Sequence, residues 1–228
     1  MTKEKLKISV IVRTYNSEKF VSDAIESALN QTLDKKLYEI IVVDDGSKDS
    51  TLDILEKKYR NKLRIIKQNH LGASSATNKG ILESKSEYIT LLDSDDIFLP
   101  GILEKMLSEF KKDELIDFVY CDYFEKSGNK KKKVSLKNNI FKTIATAIMF
   151  KKELFDEIGF YNRKFFFAEY DFLLKLIKNK KIGRHIPVPL YIYRRNKNSL
   201  TSDLNLIRRG MDQLKKKYGD IVKKIRKY

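Results

Sequence analysis

Three aspartates, Asp93, Asp95 and Asp96, follow the apolar run of residues 88–92. Carboxylates this close repel one another, so a shared cation stabilises such a cluster. Oxygen ligands of this type suit Mg²⁺ or Mn²⁺, which bind one or two carboxylates and the phosphates of a substrate. An acidic turn after a strand is an equally good interpretation of this segment alone, because short motifs also match by chance.

The elements that must position these aspartates alternate between strand and helix. Apolar patterns predict strands at residues 7–13, 38–43, 63–67 and 87–92, and helices at 18–30, around 52–59, and at 73–83. This order predicts an α/β fold with a mostly parallel central sheet flanked by helices. In such sheets ligands bind beyond the carboxyl ends of the strands.

Polar turns follow each predicted strand at that edge. They contribute Thr14, Tyr15 and Asn16, then Asp44, Asp45, Gly46 and Ser47, then Asn69, His70 and Gly72. An aromatic ring can stack on a nucleobase, and a carboxylate can accept hydrogen bonds from a base or a ribose. Each turn alone is also a plausible helix cap or loop.

The second half of the chain has a different pattern. Strands are predicted at residues 116–124 and 145–150, helices at 151–158 and 167–177, and an extended segment at 186–194. The basic run at 126–133 is predicted to be a solvated hairpin tip, with acceptor or lipid binding as the alternative.

A basic amphipathic helix is predicted from about Leu204 to Tyr228. Its apolar stripe consists of Ile207, Met211, Leu214, Tyr218, Val222 and Ile225. The helix either lies on an anionic membrane surface or packs on the core or on a second subunit of a homo-oligomer. Packing is favoured, because an amphipathic helix is the usual surface element of a globular protein.

Composition limits the function classes. The chain has 228 residues, of which 42% are hydrophobic, and its formal net charge of +16 predicts attraction to polyanions or reflects a lysine-rich surface. No apolar run approaches the ~18 residues that cross a bilayer, and the first residues lack the pattern of a secretory signal. The single Cys121 is expected to be buried in a strand, and a cytoplasmic location is expected. Two histidines make a zinc site improbable.

Taken in order, the motifs resemble the family 2 glycosyltransferases from about residue 7 to about residue 202. They are Ser9 to Asn16, Asn30-Gln31-Thr32, Ile40 to Ser47, Gln68-Asn69 with Gly72, Asp93 to Asp96, and Tyr193-Arg194. The resemblance implies a GT-A fold, with a nucleotide-binding half at about 1–97, an acceptor half at about 98–202 and the C-terminal helix at 203–228.

The resemblance also implies site roles. Tyr15 would stack on the base and Asp45 would contact it, with uracil as the base in well-known members. Asp93 would lie near the ribose and sugar, and Asp95 would hold a Mn²⁺ or Mg²⁺ ion. The other donor-binding residues implied are Thr14, Asn16, Asn69, Gly72, Ser94, Arg194 and Arg195.

A general base is expected in an acidic pair at the start of a helix in the second half. The matching stretch has Ala168 in place of the first acid, so Glu169 falls on the base position and Asp171 is the alternative. Either acid could instead be an exposed first-turn residue that the helix dipole favours.

Three positions depart from the family pattern. Thr77 stands where members often have Arg, Asn196 where they often have His, and Arg13 where many have Pro. Loss of the histidine puts one diphosphate or metal contact in doubt. Arg194 and Arg195 can compensate, because guanidinium groups bind phosphate well. The sequence assigns no role to Arg13.

The function expected from this resemblance is inverting transfer of a sugar, with a UDP-sugar as expected donor, to a hydroxyl of a glycan or a lipid-linked acceptor. Two other functions stay open. A metal-dependent nucleotidyltransferase would also use paired carboxylates in an α/β sheet, and a non-enzymatic polyanion-binding protein would use the positive charge. No nucleic-acid-reading motif is visible, so nucleic acid is not an expected partner.

Overall fold

A computed structural model describes residues 6–137, 139–142, 146–195 and 204–224. The strands are β1 (Ile8–Thr14), β2 (Tyr38–Asp44), β3 (Arg64–Lys67), β4 (Tyr88–Asp93), β5 (Ile97–Phe98), β6 (Phe118–Ser127), β7 (Lys130–Val134), β8 (Ile148–Lys151) and β9 (Gly183–Arg194). The helices are α1 (Val21–Leu29), α2 (Thr51–Tyr59), α3 (Ala73–Glu83), α4 (Ile102–Lys112), α5 (Glu153–Ile158), α6 (Ala168–Lys178) and α7 (Leu204–Tyr218).

The first four long strands form a parallel sheet in the order β3-β2-β1-β4. Alternate residues of β2 face different sides, because Ile40 and Val42 join the main core whereas Ile41 and Val43 pack with Ala76 of α3. Burial of both faces explains why these strands are almost continuously apolar. The predicted α/β sheet with flanking helices is confirmed, with boundaries within a few residues.

The second half extends the same sheet with mixed strand directions. β8 pairs antiparallel with β4 and β6, β9 runs parallel to β6, and the short β5 pairs antiparallel with β9. The β6–β9 register shifts around Asp122, and Pro187 and Pro189 lie at this irregularity because proline cannot donate to a strand ladder.

Helix α4 and strand β5 were not predicted from the sequence. Helix α4 begins after Gly101, which has φ +84°, and β5 contains only two residues. Strand β9 also begins at Gly183, before the predicted segment. The basic run is a hairpin as predicted, but its lysines form strand β7 as well as the turn.

The C-terminal helix packs on the core, as favoured from its pattern. Leu214 and Val222 are buried, and Ile207, Met211 and Tyr218 are partly buried against the same cluster. The α-helix ends at Tyr218 and is followed by a 3-10 turn (Gly219–Lys224), so it is shorter than predicted. Ile225 lies outside the described residues. Among the described helices, none has the length and apolar character needed to cross a membrane.

Candidate active site

The carboxyl ends of β1, β2 and β4 meet at one edge of the sheet. Thr14 is in register with Asp44, and Arg13 is in register with Asp93. The strand register therefore brings together the polar turns that the sequence placed at the ends of separate strands.

The turn after β2 organises the turn after β3. Asp45 is buried, and its carboxylate accepts hydrogen bonds from the side chain of Gln68 at 2.6 Å, from the backbone of Leu71 at 2.8 Å and from the backbone of Gly72 at 2.9 Å. Gly72 has φ +90°, a conformation that glycine adopts without strain. Asp45 thus fixes the loop that precedes α3.

Tyr15 and His70 stack beside Asp45. Their ring centroids are 4.1 Å apart, and the His70 Nδ1 atom lies 3.1 Å from the Asp45 carboxylate. Tyr15 stays 38% exposed, so part of its ring is available to a ligand. Sequence reasoning gave His70 no role, although it belongs to the turn that carries Asn69 and Gly72.

Three other residues that are predicted to bind the nucleotide-sugar donor differ in their surroundings. The Asn16 side chain accepts from the backbone of Lys48 at 2.8 Å, which joins the turns after β1 and β2. The Thr14 hydroxyl is buried and has no hydrogen-bond partner among the described residues. Asn69 is exposed on the loop that Asp45 fixes.

In the acidic turn after β4, Ser94 and Asp96 are buried, whereas Asp93 and Asp95 stay partly exposed. Ser94 is buried and its hydroxyl lies 2.8 Å from that of Ser17, which ties the turn to the start of α1. Asp96 is buried and accepts hydrogen bonds from the Tyr191 hydroxyl and from the backbone of Arg194 at 2.7 Å. Burial raises the pKa of Asp96, and the charges of Asp93 and Asp95 raise it further.

Asp93 and Asp95 are only partly buried. Among the described residues, no group of three or more His, Cys, Asp or Glu side chains is arranged to hold a metal. A pair of carboxylates still fits Mg²⁺ or Mn²⁺, because these ions take their remaining ligands from water and substrate phosphates. The donor set therefore suits a cation that binds together with a diphosphate, and does not suit a closed all-protein cage.

Arg194 and Arg195 lie at the end of β9. The Arg194 guanidinium pairs with Asp23 of α1 at 2.7 Å, and its backbone is bonded to Asp96 as described above. Arg195 is exposed and lies 4.0 Å from Glu125. Arg194 is thus held against the acidic turn, and Arg195 follows it directly in the chain.

Glu169 and Asp171 occupy different environments in the first turn of α6. Glu169 is 22% exposed and accepts a hydrogen bond from Arg13 Nη1 at 2.8 Å. The Asp171 side chain is fully buried and contacts Lys217 Nζ at 2.7 Å and the Tyr218 hydroxyl at 2.8 Å, both from α7. Of these two acids, only Glu169 is linked to Asp93 at the end of β4, because both bind the same arginine.

Arg13 is that shared partner. Its Nε and Nη2 atoms donate to both oxygens of Asp93, the latter at 3.1 Å, while Nη1 donates to Glu169. Burial disfavours the charge of Arg13 and lowers its pKa, but attraction to Asp93 and Glu169 outweighs this effect, so the pKa lies well above its usual value. The one signal in the sequence was a charged residue near the end of a strand that is otherwise buried.

A family profile described as glycosyl transferase family 2 matches residues 9–171. The chain belongs to glycosyl transferase family 2. GlyG of Streptococcus pneumoniae is 31% identical over 245 aligned positions, which cover 94% of this chain and 80% of GlyG. The Staphylococcus aureus poly(ribitol-phosphate) β-N-acetylglucosaminyltransferase TarP is 35% identical over 66% of this chain and 50% of its own length.

This family 2 chain also resembles solved glycosyltransferase structures. S. aureus TarS in complex with UDP-GlcNAc has a TM-score of 0.73 and 24% identity, covering 92% of this chain and 67% of the TarS chain. This likeness confirms the GT-A fold. Many relatives are longer: the chain spans 16% of Escherichia coli chondroitin synthase, 36% of Bacillus subtilis EpsH and 62% of B. subtilis EpsJ.

Proposed function

We propose that this family 2 chain transfers a sugar from a nucleotide-sugar donor to an acceptor hydroxyl, with inversion at the anomeric carbon. The observation that carries the proposal is that Arg13 joins Asp93 to Glu169 at the carboxyl ends of the strands, where the turns with Tyr15, Asp45 and Asp95 also lie. A phosphate and metal site, a nucleobase site and a general base would then lie together at the carboxyl ends of the strands. A UDP-sugar is the proposed donor, since TarS structures contain UDP-GlcNAc or UDP.

The proposed donor site extends along the polar turns. Tyr15 stacks on the base, Asp45 holds the adjacent loop against it, and Arg194 and Arg195 approach the diphosphate. Thr14, Asn16, Asn69, Gly72 and Ser94 complete this site as proposed contacts or loop supports. Residues 1–97 would form the nucleotide half and residues 98–202 the acceptor half.

The proposed reaction is a single displacement. The acceptor oxygen forms a bond to the anomeric carbon, the bond from that carbon to the diphosphate breaks, and the acceptor proton moves to Glu169. A Mn²⁺ or Mg²⁺ ion held by Asp95 and Asp93 would neutralise charge on the departing nucleoside diphosphate. Asp171 is less suited to proton transfer, because its side chain is fully buried and its Oδ1 atom is bonded to Lys217 and Tyr218.

The product nucleotide tests this function. The wild-type chain, given a panel of nucleotide sugars with Mn²⁺, is expected to release a nucleoside diphosphate. Asp95→Ala and Glu169→Gln should each lower kcat at least 100-fold in a chain that stays folded. For Glu169 this loss matches the about 10²–10⁴-fold that general acid–base groups contribute. Asp53→Ala removes an exposed acid of α2 and is the control for loss of one charge. Release of pyrophosphate from a nucleoside triphosphate and a sugar 1-phosphate, with no nucleoside diphosphate released from the nucleotide sugars, would instead indicate nucleotidyl transfer.

We also propose an anionic glycan as the acceptor, because one face of the β6–β7 hairpin concentrates positive charge. Lys126 is directly opposite Lys131 on β7, and it is also in register with Arg194 on β9. Like charges opposite each other destabilise a strand pair, so this arrangement is favourable when a polyanion lies across it. The hairpin extends from the same sheet end as Arg194, whose backbone contacts the acidic turn.

The relatives support an anionic acceptor by their names alone, since they include poly(ribitol-phosphate) transferases and chondroitin synthases. Replacing Lys126, Lys131 and Lys133, whose side chains share this face, by Gln should raise the KM for poly(ribitol phosphate) or chondroitin at least 10-fold at low salt. Donor KM should not change. The matched control replaces Lys57, Lys58 and Lys62, exposed at and after the end of α2.

Equal effects of the two triple substitutions would contradict a specific acceptor surface and indicate diffuse charge attraction. Activity on neutral dextran equal to that on the anionic polymers would also contradict it. If the hairpin substitutions abolished binding to anionic lipid vesicles while polymer KM was unchanged, the surface would be a membrane contact instead.

A further inference from the structure

We infer that Arg13 is a positioning residue that joins the two sides of the reaction centre. Its single guanidinium sets the orientation of Asp93 on the donor side and of Glu169 on the acceptor side. The inference rests on the proposed function and adds to it a residue to which the sequence gave no role.

All three nitrogens of the Arg13 guanidinium bind carboxylates. Two of its nitrogens bind Asp93 and the third binds Glu169 at 2.8 Å. The Arg13 side chain is only 15% exposed, so water competes little for these hydrogen bonds. A planar fork with fixed donor directions can orient two carboxylates at once, whereas a lysine ammonium acts as a point charge.

Arg13 also reaches from a rigid position. β1 lies inside the sheet, paired on one side with β2 and on the other with β4. Glu169, in contrast, lies in the first turn of a helix in the second half of the chain. The Arg13 bond therefore fixes the candidate base relative to the strand that carries Asp93. Without this cation the two carboxylates would repel each other and separate.

Position 77 of α3 is a second position at which an arginine can be introduced beside these carboxylates. Arg13 Nη1 lies 3.5 Å from the hydroxyl of Thr77, which is buried in α3. Because this hydroxyl lies beside the guanidinium, we expect an arginine side chain at position 77 to reach the same two carboxylates once the Arg13 side chain is removed.

The decisive experiment compares Arg13→Ala, Arg13→Lys and the double variant Arg13→Ala/Thr77→Arg. Arg13→Ala is expected to lower kcat about 100-fold, a loss typical of misplaced reacting groups, with donor KM and UDP affinity by calorimetry changed less than about threefold. Arg13→Lys should recover little of this loss. The double variant should recover at least 10-fold of kcat, although Thr77→Arg alone should not increase it.

Arg64→Ala is the matched control. Arg64 also lies on a parallel strand and pairs with a carboxylate, Glu83, but it lies at the start of its strand and away from the candidate site. Its kcat should equal that of the wild type. Unfolding midpoints of Arg13→Ala, Glu169→Gln and the combined variant provide a readout independent of activity. Their effects should be non-additive, because the two residues are in contact.

Two results would overturn the inference: an Arg13→Ala variant with wild-type kcat, or additive unfolding effects of Arg13→Ala and Glu169→Gln. A fall in UDP affinity as large as the fall in kcat would make Arg13 a donor-binding group and would also overturn it. Failure of the proposed function has a different signature, since the wild type would then release no nucleoside diphosphate while the unfolding coupling persisted.

Discussion

Acidic side chains that are alike in the sequence have different partners in the structure. Asp45 accepts from backbone amides, Asp96 from Tyr191 and Arg194, and Asp171 from Lys217 and Tyr218. Buried carboxylates with such donors stabilise the fold locally. Glu169 and Asp93 instead share one guanidinium and stay partly exposed, which suits groups that meet a substrate.

A prediction at this scale concerns Asp45. Asp45→Ala leaves the amides of Leu71 and Gly72 without their acceptor, so we expect a loss of about 1–3 kcal/mol in the free energy of unfolding. UDP affinity should fall at least 10-fold, because the loop next to Tyr15 loses its fixed position. Urea unfolding and calorimetric titration with UDP measure the two effects. Asp45→Asn retains one acceptor oxygen and should lie between the wild type and Asp45→Ala; unchanged UDP affinity in Asp45→Ala would contradict the prediction.

The contact between α6 and α7 couples the C-terminal helix to the candidate base. Asp171 of α6 binds Lys217 and Tyr218 of α7, and Gly210 of α7 approaches Phe167 at the start of α6. Glu169 follows Phe167 by two residues. The position of α7 therefore influences where the first turn of α6 presents Glu169.

Gly210→Ala tests this contact. An added Cβ would lie 2.5 Å from a ring atom of Phe167, so α7 or the ring must move. We expect a loss of about 1–3 kcal/mol in unfolding free energy from overpacking, although the helix propensity of alanine is about 1 kcal/mol more favourable than that of glycine. The kcat should fall as well. Lys216→Ala, on the exposed side of α7, is the control and should be neutral; a stabilised Gly210→Ala variant would contradict the packing.

At the scale of the whole molecule, one hydrophobic cluster extends through both halves of the chain. It includes Ile8 and Val10 of β1, Cys121 of β6 and Leu214 of α7. Because the halves share this core and one continuous sheet, we expect them to unfold together. Cys121 is fully buried in this core and reports on that transition.

Cys121 gives a prediction for pH and labelling. Burial raises the pKa of its thiol to about 12, so the folded thiol stays protonated at pH values where the unfolded thiol ionises. The Cys121 contribution to stability should therefore decrease as pH rises from about 8.5 towards 12. Iodoacetamide at pH 8 should label the native chain at the rate of global unfolding, measured by mass spectrometry across a urea series. Native labelling as fast as that of free cysteine would contradict this prediction.

The sequence itself determined the local elements and the edge at which they meet. Apolar periodicity depends on neighbours a few residues apart, which is why β1–β4, α3 and the turns at Asp45 and Asp93 were predicted closely. Short or atypical elements such as β5 and α4 gave too little pattern. The order of the motifs was sufficient to indicate the family.

Only the tertiary structure decided which polar groups meet. Arg13 lies 80 positions from Asp93 and 156 positions from Glu169, and no periodic signal records such distant pairs. The same reason separates Asp171, buried against α7, from Glu169, two residues before it. Strand register and helix packing determine which groups bind the buried charges. The residues of the reaction centre can therefore be identified only from the folded structure.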